Sequence, residues 1–180
     1  MHSSPRHGRA AFSLIELMTV IAIIVILAGL IVGGLGFASE RQAKEKCRVQ
    51  MALLSKGLEA YKLDNGVYPA TTDQTGKAGS KILYQALFSD GYPVSATNPK
   101  RMYVPELDPV TTKQGWTTGA VTTVVAITDP WTNPYYYRCA DGTASDKTQN
   151  PDFDLWSIGK DAKTSDTPSD PTCRDDIKSP

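Results

Sequence analysis

Histidine is nearly missing from this chain. His2 and His7 are the only two, and both lie in the first eleven residues. From residue 12 onward there is no Cys-His or Ser-His couple to activate a nucleophile. The chain also lacks a Gly-x-Ser-x-Gly elbow and a Walker A loop, so neither acyl transfer of the hydrolase type nor P-loop phosphate chemistry is supported. Net charge is missing too: 19 Lys+Arg balance 19 Asp+Glu. The absence of a global basic field argues against a general nucleic-acid binder. With 41% hydrophobic and 21% charged residues, composition argues against wholesale disorder. The length, 180 residues, suits one ordinary domain. No internal repeat is visible. With no catalytic constellation visible, we read the chain as not an enzyme.

Charge is absent again, and more tellingly, from residues 17–38. As a helix this run of 22 residues spans roughly 33 Å, enough to cross a hydrocarbon core of about 30 Å. Thr19 is its one distinctly polar residue, and its hydroxyl can bond back to its own helix. Arg6 and Arg9 precede the run with no acid beside them. The positive-inside rule leaves that end in the cytoplasm and sends the body across. Arg41, Lys44, Lys46 and Arg48 on the far side oppose this orientation, partly offset by Glu40 and Glu45. A cleavable signal peptide has an apolar core of about 7–15 residues, so this one is too long, although Gly36-Phe37-Ala38 makes a passable small-x-small cleavage site. A plain signal anchor is the other simple reading. Neither explains Glu16.

Glu16 is set in Ala11-Phe12-Ser13-Leu14-Ile15-Glu16-Leu17, where Phe12, Leu14 and Ile15 are apolar. A charge at membrane depth costs on the order of 2.5–3.5 kcal/mol. A basic leader, Phe-Ser-Leu-Ile-Glu-Leu and then a long apolar run resembles the type IV pilin and type II secretion pseudopilin superfamily. The resemblance implies that a prepilin peptidase cuts between Ala11 and Phe12 and methylates the new amine. Removing 11 of 180 residues leaves 169, with Glu16 fifth. The family usually has Gly before the cut, where this chain has Ala11. Physics supports an assembly role: the amine created at Phe12 can pair with Glu16 of a neighbouring subunit. Because either charge is costly alone in apolar surroundings, the pair favours one axial register.

Beyond residue 38, Cys47, Met51, Leu54, Leu58 and Tyr61 recur every three or four positions and draw one apolar stripe on a continuing helix. Asp64-Asn65-Gly66 supplies its stop. The stripe predicts a helix half bare and half docked on a small sheet. Gly29 and Gly33 form a Gly-x-x-x-Gly pair, which permits close helix contact. Gly33, where the family often has Pro, and Gly34 can equally weaken the helix. The remainder is rich in turn residues. Residues 121–128, 135–139 and 153–158 read as strands, 82–87 as a short helix, and 95–120 as an exposed, variable loop. With no βαβ alternation, the fold class is α+β: one long N-terminal helix on a small antiparallel sheet. The expected organisation is a leader at 1–11, a membrane and filament-core half-helix at 12–38, an amphipathic half at 39–65, and a β domain at 66–180.

Three further stretches resemble the major pseudopilin branch of type II secretion. They are Tyr61-Lys62-Leu63-Asp64-Asn65-Gly66-Val67-Tyr68-Pro69, Asp129-Pro130-Trp131-Thr132-Asn133-Pro134-Tyr135, and Phe153-Asp154-Leu155-Trp156-Ser157-Ile158-Gly159-Lys160-Asp161, with Asp176-Ile177 closing the pattern. In the second, the branch has Gly where Thr132 stands. The resemblance implies calcium in the C-terminal loop, on Asp161 and Asp176 with Asp175 adjacent and backbone oxygens completing the shell. Oxygen-rich loops suit that hard cation. The family's Gly after the first of these is Ala162 here, and the insert 163–174 is longer. A solvated acidic tail is the alternative. Cys139 and Cys173 both fall in the exported body, where a bridge closing about 35 residues contributes roughly 3–4 kcal/mol. Cys47, on the stripe, reads as a buried thiol. Three cysteines leave the pairing open.

The resemblance implies a pseudopilus subunit, expected to wait in the bacterial inner membrane as a single-pass protein with its body in the periplasm and then to polymerise through its apolar helix into a helical homo-oligomer that drives protein export. The implied partners are the prepilin peptidase, the secretion assembly platform and minor pseudopilins. A type IV pilus subunit for adhesion, motility or DNA uptake is the nearest alternative, and a membrane-tethered binding module or enzyme a more distant one.

Overall fold

The structure is a computed structural model, and it describes residues 13–71, 73–88, 101–109, 115–118, 126–140 and 146–179. It divides into two compact units, the first ending at Arg41 and the second starting at Gln42. A single helix, α1 (Leu14–Asn65), contributes to both. The remaining elements are α2 (Gly79–Leu87), β1 (Thr117–Thr118), β2 (Ala126–Ile127), β3 (Tyr136–Cys139), β4 (Phe153–Ser157) and β5 (Ile177–Lys178), with 3-10 turns at Pro105–Leu107 and Pro171–Cys173.

In the first unit, α1 begins as the carbonyl of Ser13 accepts hydrogen bonds from Glu16 N and Leu17 N. Thr19 Oγ1 donates to the carbonyl of Glu16 at 2.9 Å, which satisfies the polar side chain within its own helix. The stretch Leu14–Ile31 is long and apolar enough to cross a membrane, and none of it is buried. The helix continues unbroken through Gly29 to Gly36.

In the second unit the apolar stripe does what its spacing predicts. Cys47, Met51, Leu54 and Leu58 are buried and Tyr61 packs partly against the same core. The helix ends at Gly66, whose positive φ of 78° lets its N–H reach the Lys62 carbonyl at 2.7 Å. Asn65 Nδ2 caps the Tyr61 carbonyl. The core facing this stripe comes from α2 (Leu83, Leu87), β2 (Ile127), β3 (Tyr137) and β4 (Leu155), together with Val104, Leu107 and Trp116. Gly79 starts α2 flush against β3, because a Cβ there would collide with the backbone of Tyr137.

Both sheets are antiparallel: β1 pairs with β2, and β3-β4-β5 form the larger one. In the larger sheet Arg138 lies opposite Asp154, Tyr136 opposite Trp156, and Trp156 opposite Lys178. Alternation puts Tyr137 and Leu155 on the inner face and Tyr136, Arg138, Asp154, Trp156 and Lys178 on the outer one. The free edge of β3 is covered: Tyr137 N donates to the Gly76 carbonyl and Cys139 N to Thr71 Oγ1.

The α+β, helix-on-sheet expectation matches this architecture. The short helix starts three residues earlier than predicted, and the strands at 135–139 and 153–158 are each one residue shorter. Of the strand predicted at 121–128, Ala126–Ile127 pairs and 121–125 lies outside the described residues. The stretch predicted as an exposed loop at 95–120 is different where it is described. Val104, Leu107 and Trp116 are fully in the core, and Trp116 Nε1 donates to the Glu106 carbonyl at 3.0 Å. Val104 and Leu107 come from a 3-10 turn and its cap and Trp116 from the residue before β1, so no helical or strand period marks them.

Candidate functional site: the N-terminal helix and the C-terminal loop

Two regions carry the chemistry singled out in the sequence. Glu16 lies in the first turn of α1, flanked by the exposed Leu14, Ile15, Leu17 and Met18. Ala11 and Phe12, the expected processing pair, lie outside the described residues. Among the described residues, nothing comes within 4 Å of where a Cβ would stand on Gly29 or Gly36. The apolar surface of this unit is a face for lipid or for other subunits.

The second region is the loop from Gly159 to Asp176, which joins β4 to β5 and lies over the outer face of the larger sheet. Its base is built by the segment from Asp129 to Tyr135. Asp129 Oδ1 accepts from Trp131 N at 2.9 Å and Asn133 N at 2.8 Å. Oδ2 accepts from Ser157 Oγ at 2.6 Å. Ser157 Oγ in turn accepts from Gly159 N, and Asn133 Nδ2 donates to the Gly159 carbonyl at 2.7 Å. Burial pushes the Asp129 carboxyl above its ordinary value, while these donors hold it down. Tyr135 OH donates to Gln50 Oε1 at 2.7 Å and to Cys47 Sγ at 3.4 Å, which ties the same turn to α1. Burial pushes up the Cys47 thiol, as expected for an inert core cysteine.

The three candidate calcium residues sit at the two ends of this loop. Asp161 is exposed; its N–H donates to Asp175 Oδ2 at 3.0 Å and its Oδ1 accepts from Lys163 N. Asp175 closes onto Gly159, whose φ of +65° and missing Cβ leave room for that carboxylate. Asp176 Oδ2 accepts from Thr164 Oγ1 at 2.8 Å, and burial raises its carboxyl above the ordinary value. Its Oδ1 is buried with no hydrogen-bond partner among the described residues. The loop thus brings Asp161 to Asp175 but does not converge all the acids: among the described residues, no three His, Cys, Asp or Glu side chains group closely enough to hold a metal. The donor set nevertheless suits a hard cation, being all oxygen with one buried and unsatisfied.

No disulfide joins Cys139 and Cys173, the pair considered from the sequence, in this structure. Cys139, at the end of β3, directs its sulfur to the Ala140 carbonyl. Cys173, in a 3-10 turn, directs its own to the carbonyls of Ser165 and Thr167. The loop follows its own turn geometry there, and spacing along the sequence carries no information about it.

Sequence reasoning missed Arg138. Its side chain is only 4% exposed yet carries three polar partners. Nε donates to its cross-strand neighbour Asp154 at 2.9 Å; Nη1 donates to Asp166 Oδ1 and to the Gln74 carbonyl, both at 3.3 Å. The guanidinium lies 5.1 Å from the Trp156 ring centroid. Arg138, Trp156, Thr164, Asp166 and Asp176 line a polar cavity of about 210 Å³. A lone Arg in a strand was the only sequence signal. The two left-handed non-glycine residues among those described, Thr132 (φ 73°) and Ala162 (φ 56°), stand where the major pseudopilin pattern has Gly.

Comparison with known proteins follows the same two regions. Residues 6–32 match the prokaryotic N-terminal methylation motif, and residues 92–175 match the family described as type II secretion system protein G. The type II secretion system core protein G of Pseudomonas aeruginosa is 30% identical over 165 residues, 92% of this chain and 93% of that protein. That of Vibrio cholerae is 41% identical over 66 residues, 37% of this chain and 44% of its own length. For Escherichia coli the figures are 43% over 60 residues, 33% and 41%.

Proposed function

Because the chain belongs to the type II secretion system protein G family, a family of membrane-anchored structural subunits of the pseudopilus, we propose how its own residues perform that role. The prepilin peptidase removes residues 1–11, and Phe12 becomes a methylated N-terminus. The subunit waits in the inner membrane on residues 12–38 with its C-terminal body in the periplasm. It then joins a filament through the same helix, in contact with the assembly platform and minor pseudopilins.

One observation carries this reading: a fully exposed apolar helical stretch from Leu14 to Ile31 with a single carboxylate, Glu16, in its first turn. A helix exposed along its whole apolar surface is stable in lipid, and in a bundle of like helices. In the bundle Glu16 needs a cation, and the Phe12 amine of a neighbouring copy supplies it. The pair sets register; its net stabilisation is small, because both groups are desolvated to make it. Mass analysis of the isolated protein is expected to show a methylated Phe12 N-terminus; a start at Ser39 would refute the reading. Glu16→Ala is expected to abolish or misalign filaments while the melting of the body stays unchanged, and normal filaments would disprove the pairing.

The C-terminal loop is the proposed calcium site, held by Asp161, Asp175 and Asp176 with backbone oxygens. Support comes from the unsatisfied, buried Asp176 Oδ1. The ion would supply positive charge to a desolvated carboxylate and fasten the two ends of the loop. Chelation is expected to lower the melting temperature of the body, and added Ca²⁺ to restore it. A melting temperature indifferent to both would eliminate the site.

A further inference from the structure

On the outer face of the β3-β4-β5 sheet Arg138, Asp154 and Trp156 are buried, and the C-terminal loop helps cover them. Near its base the loop is pinned by Asn133 on the Gly159 carbonyl and by Asp175 on Asp161 N. Thr164 then bonds Trp156 Nε1 and Asp176. Further along stands Asp166, whose carboxylate takes Lys147 Nζ at 2.8 Å and Arg138 Nη1 at 3.3 Å. Its two cations differ. Arg138 is 4% exposed and already holds a second, permanent partner in Asp154, only 8% exposed. Lys147 is 50% exposed. Asp166 itself is 46% exposed, so water and salt reach one side of the bridge.

We propose that Asp166 is an ionic latch that closes the C-terminal loop over the outer sheet face, bridging Arg138 and Lys147, and that it acts separately from the fastening at the loop's base. Arg138 keeps Asp154 when the latch opens, so opening leaves no isolated buried charge and the body stays folded. A half-exposed pair weakens as the Debye length falls. Rising ionic strength therefore loosens the cover without unfolding the domain. The latch thereby controls access to Trp156 and Arg138. This inference rests on the loop geometry and does not depend on filament formation.

Limited trypsin digestion of the full chain in detergent tests it, because Lys160, Lys163 and Arg174 place cleavage sites in the loop. Loop cleavage is followed by mass spectrometry, and global folding by circular dichroism. Asp166→Asn is expected to speed loop cleavage about fivefold at low salt with the melting curve little changed. Wild-type cleavage is expected to accelerate on going from low to high salt, while D166N responds much less. Both results should hold with chelator and with Ca²⁺ present. Loop cleavage that is equal in D166N and wild type, or equally salt-dependent in both, would overturn the latch. So would a fivefold effect seen only with Ca²⁺ bound, since the latch would then be part of the base and not separate from it. If D166N melts globally at much lower temperature, Asp166 is a core support and the proposal fails.

Discussion

At the scale of single residues, backbone conformation and buried charge leave the clearest marks. Thr132 at φ 73° and Ala162 at φ 56° occupy the left-handed region, which costs a residue with a Cβ about 1–2 kcal/mol. Thr132→Gly is expected to stabilise the body by about 1 kcal/mol in urea unfolding, since the strain relieved exceeds the entropy that glycine adds to the unfolded chain. Arg138 is the opposite case. Arg138→Ala strips Asp154 of its buried cation, and the expected loss is about 3 kcal/mol, moderated because Asp154 still accepts from Gln149 N and Asn150 N. Asp166 gives a pH signature. Lys147 foremost, then Arg138, hold its carboxyl below the ordinary value. Its contribution is therefore fully present above the ordinary carboxylate range and lost as pH falls through the lowered value. The difference in loop cleavage between wild type and Asp166→Asn is expected to be present at pH 7 and to fade as pH falls through the lowered value of Asp166, below the ordinary carboxylate range, measured with an acid-tolerant protease.

At the scale of elements, contact between backbones decides what each position tolerates. Gly79 lets α2 approach β3 so closely that a Cβ would meet the N, O and Cβ of Tyr137. Because strand backbone cannot rotate aside as a side chain can, Gly79→Ala is expected to destabilise the body by about 1–3 kcal/mol. Gly29→Ala, with open space around it, is expected to leave the body's stability unchanged, and equal losses in the two variants would contradict this account. The amphipathic half of α1 was legible beforehand because Cys47, Met51, Leu54 and Leu58 recur at helical spacing and a helix buries one stripe. The burial of Val104, Leu107 and Trp116 was not legible. An irregular segment has no period to reveal which residues turn inward.

At the scale of the whole molecule, hydrophobic surface is divided sharply. The described apolar residues from Leu14 to Ile31 are exposed, and the unit from Gln42 onward contains the buried core. A fragment beginning at Gln42 is expected to stay soluble without detergent and to unfold cooperatively at about the melting temperature of the full chain's body. Aggregation or non-cooperative unfolding of that fragment would show that residues before Gln42 contribute to the fold.

The amino-acid sequence by itself determined the membrane-length helix, the odd carboxylate at Glu16, the docked stripe and the helix stop at Gly66, because each is a local pattern whose energetics depend on near neighbours in the chain. It could not reveal that Arg138 lies under the C-terminal loop against Asp154 and Asp166, that Cys139 and Cys173 remain separate thiols, or that Asp176 keeps an unpaired oxygen. Those outcomes come from segments far apart in sequence meeting on one sheet face, where excluding water makes the partner of each charge, not its position in the chain, set its cost.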